Sequence, residues 1–426
     1  MAALDAAIFP RYRELYVDVL SEVMPDPANL DAQKRAFLND ELTNPVFTYE
    51  KNLTLDHDDT EAALHKLAAE ARAPGVYLDP VARAYEGAIA ERLMQVQLGR
   101  SIQQLQRDAD TERFTERFTE AMGSLYGMPE QSIFDDLLAA LVGELRAMPL
   151  ECESNAARER LLDLMGDRER TFTPPVMEPP SDIVNPTNPI TTSAELVAIF
   201  EEALTHLGID DWKIVVSAYT SNIRVLPKVR HVWVPSDQDL AVRAKPLTHS
   251  NVLGLVTHEI GTHVLRQHQG QKSCLQLLAF GFNGYQRGEE GLAMYREQQF
   301  TGVVDFAGVE GYLAIGLARG LDGAGMRTFR EVFEVLVDHF MAIRGFPQEA
   351  SRELAWKRCV RTFRGTPGYL PGVVFTKDIV YRDGNIATWR EMCDGTYHDL
   401  DLDAGKYDQT DPTQRSIIRE LVELVG

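Results

Sequence analysis

Two histidines at an unusual spacing constrain the local fold of this chain more than any other feature. They begin and end the stretch HEIGTH, which places His258 and His263 five positions apart. In the more common H-E-x-x-H arrangement the histidines are four positions apart, so they face one side of an α-helix and can bind one metal ion. Residues five apart on an ideal α-helix point about 140° away from each other. Either this pair is accidental, or the helix that carries it is locally not an α-helix.

The residues around the pair predict a helix that is interrupted by a wider turn. Apolar residues recur at helical spacing over 250–268, and Ser250 is suited to be the N-cap. Gly261 lies between the histidines although glycine costs a helix roughly 1 kcal/mol relative to alanine, and a single-turn π-bulge would explain its presence. With about 4.4 residues per turn, positions five apart return to within about 50° of each other. We therefore predict a π-type turn that brings His258 and His263 onto one face.

A less specific explanation of the same stretch stays open. Glu259 and His263 lie at i and i+4, so they could simply share a hydrogen bond on one helix face. Two observations favour a metal site instead. Five of the ten histidines of the chain fall within 231–268. The acidic helical stretch GEEGLAMYREQQ follows at 288–299, and Glu290 in it is well placed to supply a carboxylate as a third ligand.

Several blocks of the sequence resemble one known family. HEIGTH followed by EEGLA is similar to the flavohaemoglobin expression-modulating QEGLA-motif proteins, whose eukaryotic relatives are the tubulinyl-tyrosine carboxypeptidases. The five-residue histidine spacing is the rule in that family. NPVFTYE at 44–50, VRTFRG at 360–365 and FTKDIVYRDG at 375–384 resemble further family blocks, so the resemblance covers most of the chain. The chain departs from the family at the first position of the QEGLA motif, where it has Glu289 in place of glutamine.

The resemblance implies a set of metal ligands and a reaction. The positions that match the family motif imply one zinc ion per chain, bound by His258, His263 and Glu290. The same match implies that Glu259 is the catalytic glutamate. Zinc is preferred for this donor set, although ligand type alone does not exclude iron or manganese. Three protein ligands leave one position for water, which Glu259 would deprotonate before passing the proton to the leaving amine. The expected function is that of a zinc metallopeptidase, a carboxypeptidase-like hydrolase that acts on the C-terminus of a protein or peptide.

A basic stretch and the block after it supply candidates for the rest of the active site. The oxyanion of a tetrahedral intermediate needs a hydrogen-bond donor, for which Tyr381, Arg364 and Lys377 are the candidates. A carboxypeptidase also needs a cation that binds the terminal carboxylate. WKRCVRTFRGTPG at 356–368 carries four basic residues and no acid, and by itself it is more typical of a solvated helix face. Because VRTFRG resembles a family block, Arg361 and Arg364 are preferred, together with Lys377, for binding substrate.

Two other functions stay open. The same zinc site could belong to an amidase or to an endopeptidase that processes a small peptide. The chain could also be a catalytically silent regulatory protein, although such a protein would be expected to have lost Glu259 or a ligand. Activity on tubulin is not implied, because substrate choice depends on details of the pocket that a motif does not fix.

Hydrophobic periodicity predicts an α+β fold. Residues 1–170 are typical of a helical N-terminal region and 171–190 of a linker with six prolines. For 191–426 the HEIGTH and EEGLA blocks and the family resemblance imply a gluzincin-like metallopeptidase region with a small mixed sheet and an active-site helix. We predict a helix over about 194–207, two or three strands in WKIVVSAYTSNIRVLPKVRHVWVPSD, and a strand around VVFTKDIVYRDG. Further helices are predicted at 287–300, within 305–345 and at 350–363.

Charge and cysteine content limit the possible partners. A formal net charge of −21 argues against binding to nucleic acid or to an anionic membrane surface. We expect no membrane span and no signal peptide, since neither apolar pattern is present. The four cysteines are scattered and form no C-x-x-C pair, which fits a cytoplasmic protein. No heptad pattern predicts a coiled-coil partner, so the oligomeric state stays open.

Overall fold

The computed structural model describes residues 3–17, 23–49, 56–108, 110–149, 154–172, 188–218, 220–243, 246–302, 305–395 and 401–425. Helices form most of this part of the chain, and a small mixed sheet interrupts them, so the predicted α+β class is confirmed. The N-terminal region is helical as predicted. Its helices are α1 (Phe9–Glu14), α2 (Pro27–Leu38), α3 (His57–Ala71), α4 (Asp79–Asp108), α5 (Thr111–Leu125), α6 (Gln131–Ala147) and α7 (Asn155–Met165).

Helix α8 (Ser193–His206) confirms the helix predicted over 194–207, and a capping box fixes its start. The Thr192 hydroxyl accepts a hydrogen bond from the backbone N–H of Glu195 at 3.3 Å. The Glu195 carboxylate in turn accepts one from the backbone N–H of Thr192 at 3.4 Å. Two N–H groups that have no partner inside the helix are satisfied in this way, so the helix begins where the sequence predicts.

The predicted strands form a sheet with the order β1-β3-β2 in the described part of the chain. Strand β1 (Lys213–Ser217) runs parallel to β3 (His231–Pro235), and β2 (Arg224–Leu226) runs antiparallel to β3. The central strand β3 buries Val232 and Val234 completely. This alternation is that of a strand with one face in the core, and helix α8 packs against β1 and β3.

The helices after the sheet agree with the predicted ones at 287–300, 305–345 and 350–363. None of the described helices is long and apolar enough to cross a membrane. They are α9 (Asp237–Ala241), α10 (His249–His258), α11 (Leu265–Lys272), α12 (Gln286–Thr301), α13 (Val309–Ala318), α14 (Phe329–Ala342), α15 (Gln348–Phe363), α16 (Ile379–Cys393) and α17 (Pro412–Val425).

The strand predicted around VVFTKDIVYRDG is wrong. This stretch is a buried segment that leads into a 3-10 turn over Thr376–Asp378 and then into helix α16. Residues 372–380 are all buried, so no polar face marks the helical period. A short apolar run does not distinguish a buried strand from a buried helix, which explains the error.

The N-cap predicted at Ser250 is also wrong. The N-cap of helix α10 is Thr248, two residues before Ser250. The Thr248 hydroxyl accepts from the backbone N–H of Asn251 at 3.2 Å, and the Asn251 side chain accepts from the backbone N–H of Thr248 at 3.3 Å. The residue three positions after Ser250 is Leu253, which cannot return such a bond.

Apolar side chains form two clusters in the described part of the chain. The larger one joins the N-terminal helices to those after the sheet. For example, the Phe37 ring of α2 lies 5.1 Å from the Phe329 ring of α14 and 5.2 Å from the Trp356 ring of α15. The smaller cluster lies around the sheet and α8. Most of the proline-rich segment lies outside the described residues, so the division into 1–170, 171–190 and 191–426 stays a prediction.

Backbone contact between α12 and α16 fixes the position of the acidic helix. A Cβ atom at Gly291 of α12 would lie 2.3 Å from the carbonyl oxygen of Gly384 in α16. A Cβ at Gly384 would lie 2.0 Å from the carbonyl oxygen of Arg287. Helical geometry puts Glu290 and Glu297, seven residues apart, together on another face of α12, about 100° around the helix from Gly291. The glycines therefore set how closely the two helices approach and turn the acidic face of α12 toward α10.

Replacement of Gly291 by alanine should lower the free energy of unfolding by about 1–3 kcal/mol, because the added methyl group must push two helix backbones apart. The measurement is urea denaturation followed by circular dichroism. Gly261→Ala is the matched control, since a Cβ there would meet no atom closer than the Val256 carbonyl oxygen at 3.8 Å. An equal change in both variants, or no loss of stability in Gly291→Ala, would contradict the packing argument.

Candidate metal centre

The helix that carries both histidines contains the wider turn that their spacing predicts. A π-helix over Glu259–Val264 joins α10 to α11. The rings of His258 and His263 lie side by side, with centroids 5.1 Å apart. Backbone carbonyl groups in a wider turn need other partners, and the Arg296 guanidinium donates to the Gly261 carbonyl oxygen at 2.7 Å. The predicted π-type turn is confirmed.

Three side chains converge beside the π-helix. The Nε2 atoms of His258 and His263 lie 3.9 Å and 3.7 Å from the carboxylate of Glu290, which extends from α12. One possible ligand atom from each residue lies within 4.8 Å of the other two. Among the described residues no other group of three such side chains meets this condition. The structure thus brings the three predicted ligands together, and their binding of a metal stays a prediction.

Besides Glu290, which lies near both Nε2 atoms, each histidine has another carboxylate within hydrogen-bonding distance of its Nδ1 atom. His258 Nδ1 lies 2.9 Å from the Glu297 carboxylate, and His263 Nδ1 lies 3.1 Å from that of Glu289. An ionised carboxylate only accepts, so in the neutral ring Nδ1 carries the proton and Nε2 presents its lone pair toward Glu290. Neither Glu289 nor Glu297 is predicted from the sequence to be functional. The spacing of seven residues between Glu290 and Glu297 is the signal that could have pointed to the latter.

Glu289, which stands where the resembled family has glutamine, is part of this arrangement. Its carboxylate is 3% exposed, is hydrogen-bonded to the buried Arg266 guanidinium, and lies 3.6 Å from Lys406 Nζ. Burial alone raises the pKa of Glu289, but the charges of Arg266 and Lys406 outweigh it and lower the pKa to about 2. Glu289 is therefore ionised at neutral pH and can hold the Nδ1 proton of His263.

The surroundings of the three converging side chains favour positive charge. Burial lowers the pKa of His258, but the hydrogen bond to Glu297 and the neighbouring carboxylates raise it to about 9. Burial also raises the pKa of Glu259, and the charges of Glu290 and Glu297 add to this shift against the effect of the two histidines. A buried carboxylate with a raised pKa is suited to accept a proton.

Lys377 and Tyr381 lie next to the converging side chains. The charge of Glu290 is the largest cause of a raised pKa of the Tyr381 hydroxyl, and burial adds to it. Burial lowers the pKa of Lys377, whereas the charge of Glu290 opposes this. Lys377 Nζ is 5.4 Å from the centre of the Tyr381 ring. The structure therefore brings these two residues to the candidate centre.

The two arginines singled out by the sequence have different surroundings. Arg361 is half exposed and donates hydrogen bonds to the Asp378 carboxylate at 2.7 Å and 3.0 Å. Arg364 is 8% exposed, lies over the Phe375 ring at 4.3 Å, and has no hydrogen-bond partner for its Nε among the described residues. Burial lowers the pKa of Arg364. Arg364 thus keeps the hydrogen-bonding capacity of its Nε for a ligand, whereas Asp378 accepts from two of the donors of Arg361.

Comparison with known proteins connects this region to one family. Residues 191–402 match the sequence model of the family described as microtubule-associated tyrosine carboxypeptidase. Microtubule-associated tyrosine carboxypeptidase 1 of Homo sapiens is 32% identical over 147 residues, which cover 32% of this chain. The match spans 27% of the human protein, little more than a quarter of its length. Residues 191–402 of this chain therefore form a domain of the microtubule-associated tyrosine carboxypeptidase family.

Proposed function

We propose that this protein is a zinc-dependent carboxypeptidase that removes one or a few residues from the C-terminus of a protein or peptide. The observation that carries the proposal is the convergence of two histidines and Glu290 beside Glu259. The family match over residues 191–402 supports the reaction class. The HEIGTH and EEGLA blocks support a closer kinship with the flavohaemoglobin expression-modulating QEGLA-motif proteins, which is part of this proposal.

The donor set suits one zinc ion per chain. Two imidazole nitrogens and one carboxylate are a usual ligand set for a catalytic zinc site that keeps one position open. Each imidazole has its Nδ1 held by a carboxylate, which leaves Nε2 as the ligand atom. His258, His263 and Glu290 would hold the ion. The further carboxylates around them would favour its positive charge.

The residues around this ligand set can carry out the hydrolysis of a peptide bond. When bound, zinc would act as a Lewis acid toward water and a carbonyl group. Glu259 would take a proton from the attacking water and deliver it to the leaving amine. The Tyr381 hydroxyl, whose raised pKa keeps it protonated at neutral pH, would donate a hydrogen bond to the developing oxyanion. Water and the peptide thus yield a carboxylate and an amine with no further reactant.

Recognition of the substrate C-terminus is assigned to the basic residues beside the centre. A terminal carboxylate requires a cation with hydrogen-bond donors. Arg364 is buried and retains a donor without a partner, and Lys377 is buried next to Glu290. These two are the proposed carboxylate-binding residues. Arg361 is a further contact at a more exposed position.

An amidase or endopeptidase would use the same metal centre, and a silent regulatory protein would retain it without turnover. The buried cations favour a carboxypeptidase, because an endopeptidase has no terminal carboxylate to neutralise. The presence of Glu259 favours an enzyme. Cys274, Cys359 and Cys393 form no disulfide in the described part of the chain, which supports the cytoplasm as the proposed location.

Metal analysis of protein purified without added metal tests the ligand set. We expect about one zinc per chain in the wild type, loss of zinc in His263→Ala, and retention of zinc in Glu259→Gln, because Glu259 is a base and not a ligand. His206→Ala is the control, since His206 is an exposed histidine on α8. Mass spectrometry gives the metal content. No zinc in the wild type, before or after reconstitution, would exclude the proposed metallopeptidase.

Paired peptides with a free or an amidated C-terminus test the proposed exopeptidase. We expect the wild type to cleave only the free peptide, and Arg364→Ala to reduce kcat/KM for it by about 10- to 100-fold, the cost of losing a hydrogen bond to a charged group. Lys357→Ala is the control, because Lys357 is an exposed cation on α15. Equal cleavage of both peptides would instead favour the endopeptidase or amidase.

A further inference from the structure

A second pocket, apart from the three converging ligands, is lined mainly by carboxylates. It has a volume of about 310 Å³, near the lower end for small-molecule sites. It lies between α4, the segment after α5, the segment before α12, and α16. We call it the Asp383 pocket. Arg287 is the cation among its lining residues, and the carboxylates are those of Glu91, Glu130, Asp383, Asp408 and Asp411.

Two buried hydrogen-bond acceptors in this pocket have no donor. Asp383 is 7% exposed, and its Oδ1 has no hydrogen-bond partner in the described part of the chain, although the carboxyl group is hydrogen-bonded to the Tyr312 hydroxyl. The Gln286 Oε1 atom is likewise buried and has no partner among the described residues. A buried acceptor without a donor destabilises the fold, because it has lost its hydrogen bonds to water and gained none in the protein. A bound group that donates hydrogen bonds would remove this cost.

The negative charge in the Asp383 pocket is only partly compensated. Arg287 lies 3.9 Å from the Asp408 carboxylate and donates a hydrogen bond to the Thr410 hydroxyl. Burial raises the pKa of Glu91 to about 7, and burial raises that of Asp383 to about 7 as well. A ligand with a positive charge would stabilise the ionised form of both groups.

A metal ion does not suit this arrangement. Carboxylate oxygens bind Ca²⁺ or Mg²⁺ at about 2.0–2.6 Å and must therefore crowd together. Among the described residues, no three carboxylates of the pocket come within 4.8 Å of one another. An organic cation with several N–H donors can span acceptors that lie farther apart. We propose that the Asp383 pocket binds an alkylammonium or guanidinium group, supplied by a basic side chain of the substrate or by a small free amine.

The position of the pocket connects it to the proposed active site. Val380 lines the pocket, and the next residue along α16 is Tyr381, whose pKa is raised by the charge of Glu290. The charges of Glu91 in the pocket and of Glu290 both act on the hydroxyl of Tyr285. This proximity makes a substrate side chain one source of the cation. Binding itself does not depend on the proposed peptidase activity.

Calorimetric titration of the full chain with butylguanidinium tests the pocket directly, with butylurea as a neutral probe of similar shape. We expect butylguanidinium alone to bind. Asp383→Asn should weaken this binding about tenfold or more, because it removes the charge and keeps the shape. Glu91→Gln, on a different helix, should weaken it as well. Glu116→Gln removes a charge from an exposed position of α5 outside the pocket and should have no effect.

Thermal unfolding is measured first to show that each variant is folded. If Asp383→Asn does not fold, the affinity of Glu91→Gln for butylguanidinium tests the proposal in its place. Failure of butylguanidinium to bind the wild type would overturn the proposal. Equal binding of both probes would do the same, as would unchanged affinity in the variants with an altered pocket.

Hydrolysis of peptides that differ only by arginine or glutamine near the C-terminus identifies the source of the cation. A preference for arginine in the wild type that disappears in Asp383→Asn supports a substrate side chain. Binding of butylguanidinium without such a preference supports a small free amine. If the chain holds no zinc and hydrolyses nothing, the proposed function fails, but the titration result for the pocket still stands.

Discussion

The backbone contact between α12 and α16 is the interaction on which the rest of the candidate site depends. Gly291 and Gly384 allow the two helices to approach until no side chain separates them. The buried amides of Gln298 and Asn385 exchange two hydrogen bonds, at 3.0 Å and 2.9 Å, farther along the same interface. One helix carries a proposed ligand and the other the proposed oxyanion donor. Because backbones meet directly, their relative position is set by rigid elements and not by loops.

The π-turn and the carboxylates around it form one electrostatic unit. The wider turn places two imidazole rings on one face, and α12 presents three acidic side chains to that face. Arg266 and Lys406 compensate the charge of Glu289, whereas the carboxylates of Glu290 and Glu297 lie against the histidine rings. Such a unit is stable when a cation lies among the carboxylates. The geometry and the charge of the site therefore point to the same kind of ligand.

The sequence predicts those features that have one geometric solution. Two histidines five positions apart can share a face only in a wider turn, so the hypothesis of a shared metal site in HEIGTH predicts the π-helix that the structure has. By contrast, α16 was not predicted, because a segment buried on all sides has no polar face to mark its period. Glu289 and Glu297 are not predicted as partners of the histidines because these contacts join different helices. The spacing of Glu290 and Glu297 places both on one face of α12, but it does not define which helix that face meets. The Asp383 pocket was not predictable for the same reason, since its walls come from distant parts of the chain.

The segment 403–407 follows the range that matches the family, yet it supports the candidate centre. Asp403 pairs at 2.9 Å with Arg296, the residue that donates to the π-turn, and Lys406 supplies a counter-charge to Glu289. During synthesis these residues leave the ribosome after every proposed ligand. A nascent chain that ends before them has the histidines and carboxylates but lacks part of what holds them in place. The order of translation therefore delays completion of the candidate centre until the segment that supports its ligands has also been made.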